Sequence, residues 1–276
     1  MGAHYMQRLI NFFIIISVCV AFQLQAKETE TIKVAKEPRK LYERDHYLYE
    51  LLDKALKAAD ATYDYEHVTV HPHQQRTLMA LSSGKVDLHW SMTSPDREQI
   101  AIAIPVPLFK GYIGKRAIMV KKERLAQFAE LNSIDQLKAF TAVQGHDWPD
   151  TKILAFHNLP IKPLSNYQAM FKLLAAGRVD YFPRSFIEVN SELEENPDKF
   201  VLLPNVYLEY PTAFYFFVNK AKPQLADDLK RGLNKLKNSG EFDALFSRYF
   251  EKDLARLSMY QPDKAIRLKN PYFNAE

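Results

Sequence analysis

The apolar positions between residues 31 and 92 change period from segment to segment. TIKVAKEP (31–38) alternates apolar and polar residues up to a proline, the pattern of a strand. After Asp45, a candidate N-cap, Leu48, Leu51, Leu52, Ala55 and Leu56 recur on one helical face as far as about Ala59. YEHVTVHP (65–72) alternates again, Gln74 to Leu81 returns to the helical period, and VDLHWSM is a short apolar run. This β-α-β-α-β progression predicts a largely parallel sheet covered by helices.

One phrase occurs twice. LMALSSGKVDL (78–88) and FKLLAAGRVDY (171–181) are each an apolar helical run, then Gly, a basic residue, Val and Asp. Gly84 and Gly177 stand where a helix stops, because glycine takes the left-handed C′ conformation without a Cβ penalty. The copies lie about 90 residues apart, too far for a solenoid repeat and suited to two similar α/β lobes with a cleft between them. The rest of the pattern agrees. A strand at 111–121 is expected to leave the first lobe, and Ser133 caps a helix that leads into the strand FTAVQG and a new helix near Asp147. A long strand, 208–220, is expected to return, followed by helices at 223–238 and 241–250 split by Gly240. The expected division is lobe 1 over 27–118 and 213–276, and lobe 2 over 119–212, with hinges at 116–121 and 208–215.

Composition adds compartment more than fold. The chain has 276 residues, 47% hydrophobic and 25% charged, enough for one large or two small globular units. Arg8, the apolar run 9–22 and the small residue Ala26 describe a cleavable secretory signal over 1–26, and hence a periplasmic protein. A membrane anchor is the alternative, but the run is short against the roughly 20 residues a span needs. The one cysteine, Cys19, lies inside that run, so residues 27–276 carry no thiol. Val18 argues against its acylation. The net charge of +4 is mild and its cations are dispersed, which argues against a nucleic-acid interface. A monomer is expected.

With these motifs in order, the chain resembles the family-3 periplasmic solute-binding proteins, which hold polar amino acids for ABC importers. The resemblance runs from about residue 31 to 250. It rests on LSSGKVD, SPDRE (94–98) and IPVPLFKG (104–111) in the first half. SIDQL (133–137), VQGHD (143–147), LAAGRVD (174–180) and PQLADDLKRGLNKLKNSGEFD (223–243) carry it through the second. It implies a two-lobe type II periplasmic binding protein fold, a small-molecule ligand, no cofactor, and an ABC permease or membrane-bound sensor as partner.

The resemblance also assigns roles. Arg97 would fork onto a ligand carboxylate, a geometry for which guanidinium is suited, with Ser94, Thr93 and Ser91 adding hydroxyls. Alternatively Arg97 pairs with Asp96 or Glu98 on a helix surface. The strand end before it departs from the family pattern, and Trp90 there either walls the pocket or is core. In the second half Gly145 precedes His146, Asp147 and Trp148 at a strand-to-helix turn, a natural anion site, though Asp147 is also a candidate N-cap. The family's ammonium-binding aspartate is replaced by Ser185, preceded by Arg184. Either Arg184 gives the pocket a second cation and favours an anionic ligand, or it pairs with Glu188 one helical turn on, and Glu188 itself is a shifted candidate for the ammonium. His67, His71 and His73 read as a solvated edge and not a metal site. No catalytic motif is present. An enzyme of the dehydratase type, using Glu37, Glu188, His146 or Asp147, is the minority reading.

Overall fold

The computed structural model describes residues 29–71 and 73–273. The expected signal segment lies outside these residues. Strand β1 (Glu30–Lys36) leads into helix α1 (Glu43–Ala58), whose Tyr47, Leu48, Leu51, Leu52, Ala55 and Leu56 are buried as the spacing requires. The N-cap is Tyr42; Asp45 sits three residues in, and its carboxylate accepts the Tyr42 N–H at 2.9 Å. It thus closes the helix start from inside the first turn. Then come β2 (Tyr63–Thr69), α2 (Gln74–Ser82), β3 (Leu88–Met92), α3 (Pro95–Ile100) and the short β4 (Ile102–Ala103).

The second unit holds β5 (Lys115–Lys121), α4 (Ile134–Leu137), β6 (Ala142–Gly145), α5 (Pro149–Phe156) and β7 (Ile161–Leu164). It continues through α6 (Tyr167–Ala175), β8 (Tyr181–Ser185), α7 (Phe186–Glu195) and β9 (Phe200–Glu209). The chain then returns as β10 (Phe214–Val218), α8 (Pro223–Ser239), α9 (Glu241–Ser258) and β11 (Ala265–Arg267). The expected strand 208–220 is broken in two at Pro211, which has no N–H for a ladder.

These strands make two sheets, ordered β2-β1-β3-β10-β4 and β11-β9-β5-β8-β6-β7. Strands β1, β2 and β3 run parallel, as do β6, β7 and β8. Antiparallel pairing enters where the chain crosses, through β10 against β3 and β5 against β8 and β9. The result is the expected α/β two-lobe fold with mixed sheets. The crossing segments meet where the Tyr210 N–H donates to Gly114 O at 3.1 Å. Ile104 and Leu108 N–H still donate to Phe216 and Phe214 O of β10, so the chain leaves the first sheet only after Leu108 and returns over 210–213, and the stretch 116–121 lies inside β5 of the second sheet. The C-terminal segment also departs from the expected division, because β11 pairs with β9. Helix α9 carries the chain there by crossing onto α7, where Arg256 Nε donates to Asn190 Oδ1 at 2.5 Å. The strand covers an edge that would otherwise present unpaired backbone groups. No helix among the described residues is long and apolar enough to cross a membrane.

Candidate functional site

A cavity of about 600 Å³ separates the lobes, lined from both sides. Lobe 1 contributes Tyr42 and Arg44 at the start of α1, Gln74 and Arg76 from α2, and His89, Trp90 and Met92 from β3. Lobe 2 contributes Arg116 from β5, Trp148 and Asp150, Tyr167 from α6, Arg184 from β8, and Glu188 and Glu192 from α7. The volume lies within the range of small-molecule sites.

Local sequence explains how these groups are held. Ser185 is the N-cap of α7, and Glu188, three residues in, accepts the Ser185 N–H at 3.3 Å. That capping box fixes the Glu188 carboxylate at the lobe surface. Gly145 lies flat under Trp148, whose indole would be 2.4 Å from any Cβ placed there, so glycine is what lets the ring lie against the strand end. Trp148 stacks on Phe182 with ring centres 6.3 Å apart, and the Arg184 guanidinium lies 5.1 Å from the Trp148 ring centre.

The charges in the cleft are interlocked. Arg184 donates to Glu192 from Nε (2.8 Å) and Nη2 (2.6 Å) and reaches Glu188 at 3.2 Å. Arg116 pairs with Asp150 at 2.6 Å and Glu188 at 3.3 Å. Arg44, from the other lobe, pairs with Glu188 across the cleft. Burial works against charge in Arg184 and in Glu188. For Arg184 the adjacent Glu188 and Glu192 outweigh it and raise the guanidinium pKa well above its ordinary value. For Glu188 the three arginines outweigh it and hold the carboxyl down at about 2.

Arg97 is held differently. It is 3% exposed, and Nη1 donates to Ser91 Oγ (2.6 Å) and Met92 O (2.8 Å). Its Nη2 donates to Gln74 Oε1 (2.9 Å) and, across the lobe boundary, to Asp147 O (2.8 Å). All four are neutral acceptors. Burial pushes its pKa down to about 10, with Asp147, Asp150 and Asp96 opposing from a distance. Neighbouring His89 is kept neutral, its pKa lowered to about 3 by burial and by the Arg97 charge, and its Nδ1 has no partner among the described residues.

Of the ten residues singled out from sequence, Trp90, Trp148 and Arg184 line the cavity. Arg97 lies behind Gln74 and Met92, with Ser91 as its acceptor. Thr93 donates to Glu98 and Ser94 is the N-cap of α3. Ser185 is fully buried, and its hydroxyl donates to Tyr112 O at 3.1 Å. His146 is exposed, 5.0 Å ring to ring from His73 of the other lobe. Asp147 caps a helix, but not its own: its Oδ2 accepts the Gln75 N–H of α2 at 2.9 Å, while Trp148 is the N-cap of α5. Arg184 pairs with Glu188, the second of the two expected arrangements, and also with Glu192, so it offers no free fork to a ligand. His67 and His71 are exposed on and just beyond β2, the edge strand of its sheet, and His71 and His73 also line the cavity; among the described residues no group of three or more His, Cys, Asp or Glu could hold a metal.

Sequence reasoning passed over Arg44, Arg116 and Glu192. The last had a signal, since Arg184, Glu188 and Glu192 recur every four residues. Arg44 had none, because its partner is 144 residues away.

Comparison with known proteins bears on the fold and the family. The chain is 24% identical over 208 residues, 74% of each chain, to a probable histidine-binding protein of Neisseria gonorrhoeae. Its fold is similar to that of an ancestral arginine-binding protein bound to glutamine (TM-score 0.62, 19% identity), covering 81% of this chain and 99% of that one. A Salmonella typhimurium periplasmic binding protein of high arginine specificity is similar too (TM-score 0.59, 16% identity), with 81% and 99% covered. Residues 47–252 match the family described as bacterial extracellular solute-binding proteins, family 3, and the chain belongs to that family.

Proposed function

We propose that this protein captures a small amino-acid-like solute in the interlobe cleft and, after export to the periplasm, presents it unaltered to an ABC permease. The observation that carries this reading is the state of Arg97: a buried guanidinium with no carboxylate partner among the described residues, bonded to both lobes just behind the cavity-lining Gln74 and Met92. An uncompensated buried cation favours an incoming carboxylate, and a carboxylate accepts the guanidinium fork better than the neutral carbonyl of Asp147. Separation of the lobes frees that donor, and ligand entry followed by closure refills it. Support also comes from the aromatic walls Trp90 and Trp148, and from relatives whose names record histidine or arginine binding.

The test is a thermal-shift screen of the amino acids and small dicarboxylates, since a ligand bound only by the native state raises stability, by about 2.7 kcal/mol at a hundredfold excess over Kd. At least one α-carboxylate compound is expected to give a saturable shift and to be recovered unchanged, and Arg97→Met is expected to abolish the shift. A screen without a saturable hit, a folded Arg97→Met that keeps the full response, or turnover of the bound compound overturns the reading.

A further inference from the structure

We propose that Glu188 sets the charge class of the solute: it is a built-in carboxylate on which Arg44, Arg116 and Arg184 converge, so the cleft accepts amino-acid-like solutes of net charge zero or above and rejects those with a second carboxylate. This rests on the reading that the cleft is the binding site. Glu188 is held by Arg44 from lobe 1 and by Arg116 and Arg184 at 3.3 and 3.2 Å from lobe 2, with its side chain 7% exposed. Arg116 and Arg184 also meet Asp150 and Glu192, each at 2.6 Å, and Arg44 lies 3.9 Å from Asp45. Three guanidiniums thus face four carboxylates, Asp45 being shared with Arg39, and the cluster carries no net positive charge. Arg39, also on the lining, pairs with Glu37 and Asp45 at 2.8 and 2.6 Å. Arg76 is the lining arginine without a partner among the described residues, and it is exposed, where water and salt screen it.

A solute carboxylate seated on Arg97 therefore uses the site's uncompensated buried cation. A second one, reaching the cluster, would lose its hydration beside Glu188 and gain no net positive charge, which is rejection by an internal like charge. The placement of Glu188 is not accidental to the fold. The capping box that starts α7 holds its carboxylate toward Ser185 N, so the rejecting charge is in position before any ligand enters.

Arg44–Glu188 also joins the lobes, so the test must separate charge selection from closure. Near-isosteric pairs differing by one charge do this, because a weaker closure lowers both affinities alike while charge selection moves their ratio. Calorimetric titration with glutamate and glutamine, aspartate and asparagine, and succinate and succinamate is expected to favour the less negative member for the native protein. In Glu188→Gln the acid-to-amide affinity ratio is expected to rise by about tenfold, the equivalent of one pKa unit of coupling. Arg44→Gln, at a position whose side chain is 20% exposed, provides the opposite reading if Glu188→Gln does not fold. It leaves the cluster negative, and the arginine-to-citrulline ratio is expected to rise by a similar factor of about ten. Ratios within about twofold of the native protein in the folded variants overturn the inference. If the native protein binds a screened solute but neither member of any pair, this inference falls alone; if it binds no screened solute, the cleft-binding reading falls and this inference falls with it.

Discussion

Up to the aspartate, the two copies of the helix–glycine–strand unit are built alike. The first helix ends with Gly84 N–H donating to Leu81 O (3.2 Å) and Lys85 N–H to Ala80 O (3.0 Å). The second ends with Gly177 N–H to Leu174 O and Arg178 N–H to Leu173 O, both 3.0 Å. Each aspartate then exchanges two bonds with the backbone of a neighbouring strand or strand entrance, Asp87 with Lys33 and Asp180 with Thr141. The copies part at the arginines beyond each aspartate. Arg97 and Arg184 are equally buried, at 3% and 4% exposure, but Arg97 has four neutral acceptors drawn from both lobes and Arg184 has two carboxylates of its own lobe. A guanidinium matched by carboxylates consolidates one lobe. One matched by neutral groups retains an uncompensated charge at the boundary between lobes.

The sharpest way to break this comparison is to remove each guanidinium while keeping an apolar stem. Arg184→Met leaves Glu188 and Glu192 facing each other without their shared cation, and breaking a buried pair in this way costs about 3–5 kcal/mol. Arg97→Met strips a donor from a hydroxyl, two carbonyls and a glutamine amide, groups that leave no orphaned charge; about 1–3 kcal/mol is expected. Urea denaturation with unchanged m-values measures both. Equal losses would show that Arg184 is no more a structural pair than Arg97.

The sequence made the repeated units legible because their signals are local. A glycine that ends a helix and an aspartate that caps the next strand entrance act within a few residues, so their consequences can be read without knowing the rest of the fold. The strand 208–220 failed for a reason equally local, the proline at 211. The cleft was less legible. Trp90, Trp148 and Arg184 line it, but the partner of Asp147 is the N–H of Gln75, 72 residues earlier in another lobe. Arg44 meets Glu188 only because the two lobes bring the starts of α1 and α7 together. Long-range pairings of this kind leave no periodicity to read. The three hydroxyl residues near Arg97 illustrate the same limit, since only Ser91 touches its guanidinium while Thr93 is engaged with Glu98.

A smaller perturbation tests the part of the repeat that is shared. Asp87→Ala removes the acceptor of Lys33 N–H (2.9 Å), and Asp180→Ala that of Thr141 N–H (2.6 Å). Each loss is expected to cost about 1–3 kcal/mol. Asp180 also pairs with Arg124 at 2.6 Å, but both side chains are over a fifth exposed, and such a pair adds less than about 1 kcal/mol. The two variants should therefore fall within about 1 kcal/mol of each other by urea denaturation. A wider gap would make Arg124–Asp180 a genuine anchor of lobe 2 and end the equivalence of the copies.

The smallest expected effect isolates the glycines. Gly84 and Gly177 have φ of 75° and 65°, where a Cβ carries a backbone penalty of about 1–2 kcal/mol. Space does not add to it. A Cβ at Gly84 would meet only Asn219 Nδ2, at an ordinary 3.6 Å, and one at Gly177 would meet nothing within 4 Å. Gly84→Ala and Gly177→Ala should thus lose the same amount, and the asparagine variants should lose less, because asparagine tolerates the left-handed region. Neither glycine touches the cavity, so the affinity for whatever solute the screen identifies should stay within about twofold when native protein is assayed well below its melting temperature. If one alanine variant weakens binding and the other does not, the helix ends of the two lobes differ in how rigidly they hold the cleft. The repeat would then be a mechanical part of the site as well as the common frame from which Arg97 and Arg184 diverge.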